Sequence, residues 1–89
     1  MRNRIVIADD DPTMRAALGE ALVSAGYQAE VFANGEEAER HLKQTGADLV
    51  VSDVRMPGLG GLELLKRFPN ITFIMISGFA TVPDRKSVV

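Results

Sequence analysis

Asp48-Leu-Val-Val-Ser-Asp53-Val-Arg-Met-Pro-Gly58 runs from an apolar stretch into an acid and then into a tight turn. Leu49, Val50 and Val51 form the continuous apolar run expected of a central parallel strand covered on both faces. Met56-Pro57-Gly58 forbids the strand from continuing. Asp53 is thereby left at a strand's carboxyl end, the edge at which open α/β sheets bind ligands. A strand-end Asp also commonly bonds only nearby backbone, so Asp53 decides nothing by itself. A second acidic strand end, at the start of the chain, is what gives it weight.

Ile5-Val6-Ile7-Ala8 is a short β-branched run that stops abruptly at Asp9-Asp10-Asp11. Asp11 suits a helix N-cap, and Pro12 suits the first helical position, where a missing N–H costs nothing. Met14, Ala17, Leu18, Ala21, Leu22 and Ala25 then recur at helical spacing as one apolar stripe, with Gly26 as the stop. From Gln28 to Ala33 the pattern alternates, as in a strand nearer the sheet's edge. Asn34 and Glu37 resemble a capping box for a second helix. That helix has a charged face, with Glu36 spaced to meet Arg40 and Glu39 to meet Lys43, and a thin core side of Ala38 and Leu42. His41, the only histidine, lies on it without a metal partner in view and is expected to be a surface or boundary residue. Leu62, Leu64, Leu65 and Phe68 predict a short third helix before Pro69, and Ile71 to Ile76 a fourth strand ending at Ser77-Gly78. Strands alternating with helices mean an α/β fold with a parallel sheet and right-handed crossovers, and a doubly wound sheet of flavodoxin-like order 2-1-3-4 is the expected arrangement.

A chain of 89 residues is one domain at most, with a modest core. A net charge of −2 with no basic stripe argues against nucleic-acid binding by this segment. There is no cysteine, hence no disulfide framework and no thiolate metal site. The apolar runs are too short to cross a bilayer, and the first residues do not make a signal peptide, so the expected location is cytoplasmic and away from membranes.

In the 2-1-3-4 order the first and third strands are neighbours, which brings Asp9 and Asp10 to Asp53, with Ser77 arriving at the same edge. Three carboxylates within ~5 Å repel by roughly 3 kcal/mol per pair at an effective dielectric of about 20. A divalent cation offsets that, and an all-oxygen site favours a hard ion, Mg²⁺ first. Capping and the helix dipole explain Asp11 but explain Asp9 poorly, because it lies ahead of the cap. A carboxylate, Mg²⁺ and a strand-end hydroxyl in one cleft suit phosphoryl transfer, with Asp53 as the nucleophile and Asp9 and Asp10 holding the metal or its waters.

Ile-Val-Ile-Ala-Asp-Asp-Asp (5–11), Val-Val-Ser-Asp-Val-Arg-Met-Pro-Gly (50–58) and Ile-Met-Ile-Ser-Gly (74–78), in this order, resemble the receiver domain of bacterial two-component response regulators. The wording of the second and third motifs is most similar to receivers joined to ATP-dependent transcriptional activators of the nitrogen-regulation type. The resemblance implies that Asp53 accepts a phosphoryl group from a phosphohistidine on a sensor histidine kinase. It further implies that Asp10 ligates Mg²⁺, that Asp9 helps through water, that Arg55 offers its backbone carbonyl to the metal, and that Ser77 is the switch hydroxyl.

The resemblance spans about Arg4 to Pro83, so an incomplete receiver is expected over 1–83, followed by a tail, 84–89, that matches no receiver segment. Gly60 stands where the family's turn usually has Asp, and the stretch from Gly61 to Ile71 looks short. The family's fourth helix, its fifth strand with a lysine and a switch aromatic, and its fifth helix have no counterpart, and Lys86 is too close to Ser77 to be that lysine. A phosphoacceptor receiver is therefore the first expectation, and a degenerate receiver serving as an interaction or dimerisation module the alternative. A phosphohydrolase fits less well, because no second acid follows Asp53 at a useful spacing. With Ile71 to Ile76 as an outer strand, the chain is expected to be either a homo-oligomer or marginally folded.

Overall fold

In the computed structural model, which describes residues 4–76, four strands and three helices alternate along the chain. They are β1 (Arg4–Ala8), α1 (Pro12–Ser24), β2 (Gln28–Phe32), α2 (Gly35–Thr45), β3 (Leu49–Asp53), α3 (Gly61–Arg67) and β4 (Thr72–Ile76). The sheet is parallel throughout and ordered β2-β1-β3-β4, so the winding reverses between β1 and β3. The expected order 2-1-3-4 is the observed one. Ser77, Lys86, the tail 84–89 and the elements expected to be missing fall outside the described residues. No helix among the described residues is long and apolar enough to cross a membrane.

The unbroken apolar runs of β1 and β3 feed both faces of the sheet, since successive side chains point to opposite sides. Val6, Ala8 and Val50 face α2 and α3, where they pack with Ala38, Leu42, Met56 and Leu64. Ile5, Ile7 and Val51 face the other way, against Leu18 and Leu22 of α1. Burying each such side chain contributes about 1.5–3 kcal/mol, so these two central strands carry most of the core. The same alternation puts Asp9 on the face of Ile5 and Ile7, and Asp53 on the face of Leu49 and Val51, which aims both acids at the α1 side.

The caps lie where the sequence places them. Asp11 Oδ1 accepts from the Thr13 N–H at 3.0 Å, with Pro12 opening α1, and Asn34 Oδ1 accepts from the Glu37 N–H at 2.9 Å. The α1 stripe is narrower than its spacing predicts. Met14, Leu18 and Leu22 are half-buried, whereas Ala17, Ala21 and Ala25 are exposed, and no residue of α1 is fully buried. A single helix laid on a twisted sheet touches it along a line, and short side chains off that line do not reach it. On α2, Glu39 pairs with Lys43 at 3.6 Å as spaced, and also with Arg67 of α3 at 2.7 Å. Glu36 does not meet Arg40; its Oε2 accepts from the Leu59 N–H at 3.0 Å instead.

Candidate metal centre

Asp9, Asp10 and Asp53 come together at the carboxyl edge of β1 and β3, each offering a carboxylate oxygen within 4.8 Å of the others. Asp9 and Asp53 are buried, 3% and 8% exposed, whereas Asp10 is exposed. β1 delivers Asp9 because its ladder continues one residue further, with the Asp9 N–H donating to the Phe32 carbonyl at 3.1 Å. The chain then turns into α1, and Asp9 Oδ1 accepts from the Asp11 N–H at 2.9 Å. β3 delivers Asp53 opposite Ile76, and the next N–H, that of Val54, donates to the Ile76 carbonyl at 3.1 Å.

The electrostatics are those of an anionic site with too little counter-charge. Burial holds the Asp53 carboxyl above the ordinary carboxylate range, and the neighbouring Asp9 and Asp10 charges push it further, against backbone N–H groups of Arg55 and Val54. Burial also raises Asp9, joined by Asp10 and Asp11 and opposed by the Asp11 N–H and the Arg15 guanidinium. The donor set fits a hard divalent cation: all ligand atoms are oxygen, and a spread of up to 4.8 Å suits Mg²⁺ that keeps part of its water shell. Asp53, Asp10 and Asp9 are the residues able to hold it.

Arg55 lies on the loop after β3 with its side chain exposed, and its N–H approaches Asp53 Oδ1 at 3.4 Å. Ser77 is outside the described residues. His41 stacks against Phe32 at 5.1 Å between ring centroids and lines a recess with Arg4, Gln28 and Thr45, where the strands begin, away from the acids. Two neighbours of the site escape a search by motif. The Ser52 hydroxyl, fully buried, donates to the Asp53 carbonyl at 2.9 Å and so braces the strand end. Arg15 Nη1 donates to the Asp9 carbonyl at 3.0 Å. A clue to Arg15 exists in the sequence: a cation in the opening turns of a helix opposes the dipole and needs an anionic neighbour.

The family model of the response regulator receiver domain matches residues 5–89. The response regulator receiver protein CpdR of Brucella abortus is 39% identical over 83 residues, covering 89% of this chain and 69% of that protein. The DNA-binding transcriptional regulator NtrC of Escherichia coli is 41% identical over 66 residues, 74% of this chain but 14% of NtrC, so the chain corresponds to a small part of such regulators. Among solved structures, the Thermotoga maritima response regulator TrrA, determined in complex with Mg²⁺-BeF, superposes with a TM-score of 0.79 at 34% identity, covering 90% of this chain and 72% of that one. The topology, the acidic edge and these matches agree: the chain belongs to the response regulator receiver domain family, a family of signalling domains rather than classical enzymes.

Proposed function

We propose that this receiver acts in the cytoplasm and accepts a phosphoryl group on Asp53 from a phosphohistidine of a sensor histidine kinase. The observation that carries the proposal is the convergence of Asp9, Asp10 and Asp53 at one sheet edge, with the two buried acids held above their ordinary range. An Asp53 carboxylate oxygen attacks phosphorus in line. The oxygen–phosphorus bond forms as the phosphorus–nitrogen bond to the donor imidazole breaks, and the released ring nitrogen keeps the electron pair and takes a proton. Mg²⁺, when bound, neutralises charge on the phosphoryl oxygens. Asp10, Asp53 and the Arg55 backbone carbonyl would hold it, and Asp9 would help through water.

For Ser77 as the switch hydroxyl, the support is register: Ile76 pairs with Asp53, and Ser77 is the next residue. Ser52 is unsuited to that role, since its hydroxyl is committed to the Asp53 carbonyl. Intact mass after incubation with acetyl phosphate and Mg²⁺ tests the proposal. The expected result is a gain of one phosphoryl group that is lost in Asp53→Ala and when EDTA replaces Mg²⁺. An unmodified wild-type chain would overturn it in favour of a receiver acting only as an interaction module.

A further inference from the structure

The loop between β3 and α3 carries Arg55, so its course sets where the Arg55 carbonyl lies. Its first half is tied to β4, to the start of α3 and to the core: the Val54 N–H donates to the Ile76 carbonyl at 3.1 Å, the Val54 carbonyl accepts from the Gly61 N–H at 3.2 Å, and Met56 is buried. The second half is tied to a different element. The Leu59 N–H donates to Glu36 Oε2 at 3.0 Å, across a sequence separation of 23 residues. Backbone meets backbone at this contact. A Cβ on Gly35 would overlap the Leu59 carbonyl oxygen, and one on Gly58, already at φ +77°, would overlap the Glu36 carboxylate. Two glycines thus permit an approach that Glu36 then fastens.

We infer that Glu36 is a positioning residue for the metal centre: from the first turn of α2 it fastens the β3–α3 loop, and so fixes the course of the backbone that carries the Arg55 carbonyl. The inference rests on the proposed binding of Mg²⁺ at Asp10, Asp53 and Arg55. Glu36 is not among the residues proposed to hold the metal. Its exposed position means that Ala38 and Leu42 keep α2 packed when it is replaced.

The test compares wild type, Glu36→Ala and Glu36→Gln, because Gln keeps the acceptor oxygen and loses the charge. Two quantities are measured on the whole chain: amide exchange at Leu59 without metal, and Mg²⁺ affinity from NMR shifts of residues 8–11 and 52–55. Expected in Glu36→Ala are exchange at Leu59 faster by about tenfold and a Kd for Mg²⁺ raised roughly three- to tenfold, with Glu36→Gln within about twofold of wild type on both. Affinity within twofold of wild type in Glu36→Ala, or an equal loss in both variants, would overturn the inference while leaving the metal site standing. A wild-type protein without Mg²⁺-dependent shifts at those residues would overturn both.

Discussion

Asp53 and Asp9 are held in the fold as carboxylates among carboxylates, and that has a consequence with a definite sign. Both have their folded pKa raised above the ordinary value of 3.8, so the folded state binds protons more tightly than the unfolded chain. Their contribution to stability is most favourable below 3.8 and is lost as pH rises through the raised folded values. Asp53→Asn removes one charge of the three and should stabilise the metal-free protein by about 1–2 kcal/mol at neutral pH, with the gain vanishing below the ordinary carboxylate range. Urea titrations at pH 7 and at pH 4 measure it, and a variant less stable than wild type at pH 7 would refute the crowding argument. Protons and Mg²⁺ compete for the same oxygens, so Mg²⁺ affinity should fall as pH is lowered from 7 toward 4, in the opposite direction to metal-free stability. At a hundredfold excess over Kd, Mg²⁺ should stabilise wild type by about 2.7 kcal/mol and Asp53→Asn by much less.

At the scale of elements, what was legible in the sequence is what depends on chain-local chemistry. The runs Ile5–Ala8 and Leu49–Val51 give buried strands, Asp11-Pro12 and Asn34 give caps, and an acid at the end of each central strand gives the site. Contacts between elements that are remote in sequence were not legible. Glu36 is spaced for Arg40 by the rules of one helix, yet a loop N–H 23 residues away takes it. Arg15 is a nearer and partial exception: a cation in the opening turns of α1 hints at an anionic neighbour, but only the turn into the helix picks out Asp9 as that neighbour. The α1 stripe looked wide because periodicity counts apolar residues and ignores their reach, so its three outer alanines are exposed. Unequal burial predicts unequal costs. Leu64 of the seven-residue α3 is fully buried against Val50 and its neighbours, and Leu64→Ala should lose about 2–5 kcal/mol. Leu22→Ala on the much longer α1 should lose only about 1 kcal/mol, and Arg67→Ala, whose bond to Glu39 is at the surface, least of the three. Denaturant unfolding of the three variants orders them, and a larger loss for Leu22→Ala than for Leu64→Ala would show that the α1 face carries the core.

Across the whole molecule, the row Val31, Ile7, Val51, Ile74 crosses all four strands on the α1 side. Its two inner members are buried, but Val31 and Ile74 at the ends are 45% and 39% exposed. A single helix shields the middle of the row and leaves its margins open among the described residues. The two strands outermost among the described residues differ in how they resist pairing with another chain. β2, Gln-Ala-Glu-Val-Phe, carries a charge at Glu30, whereas β4, Thr-Phe-Ile-Met-Ile, carries none. An uncharged apolar outer strand is a template for a further strand, and charge on the edge is the usual deterrent. We therefore expect the 89-residue chain to self-associate through β4. Light scattering should show a mass that grows with concentration, and Tm should rise with it, since association stabilises by mass action. Ile74→Lys should suppress both effects while leaving β3 and β4 paired, because Ile74 is already partly open to solvent. A wild-type monomer whose Tm does not depend on concentration would show that the margin of this face is closed within one chain.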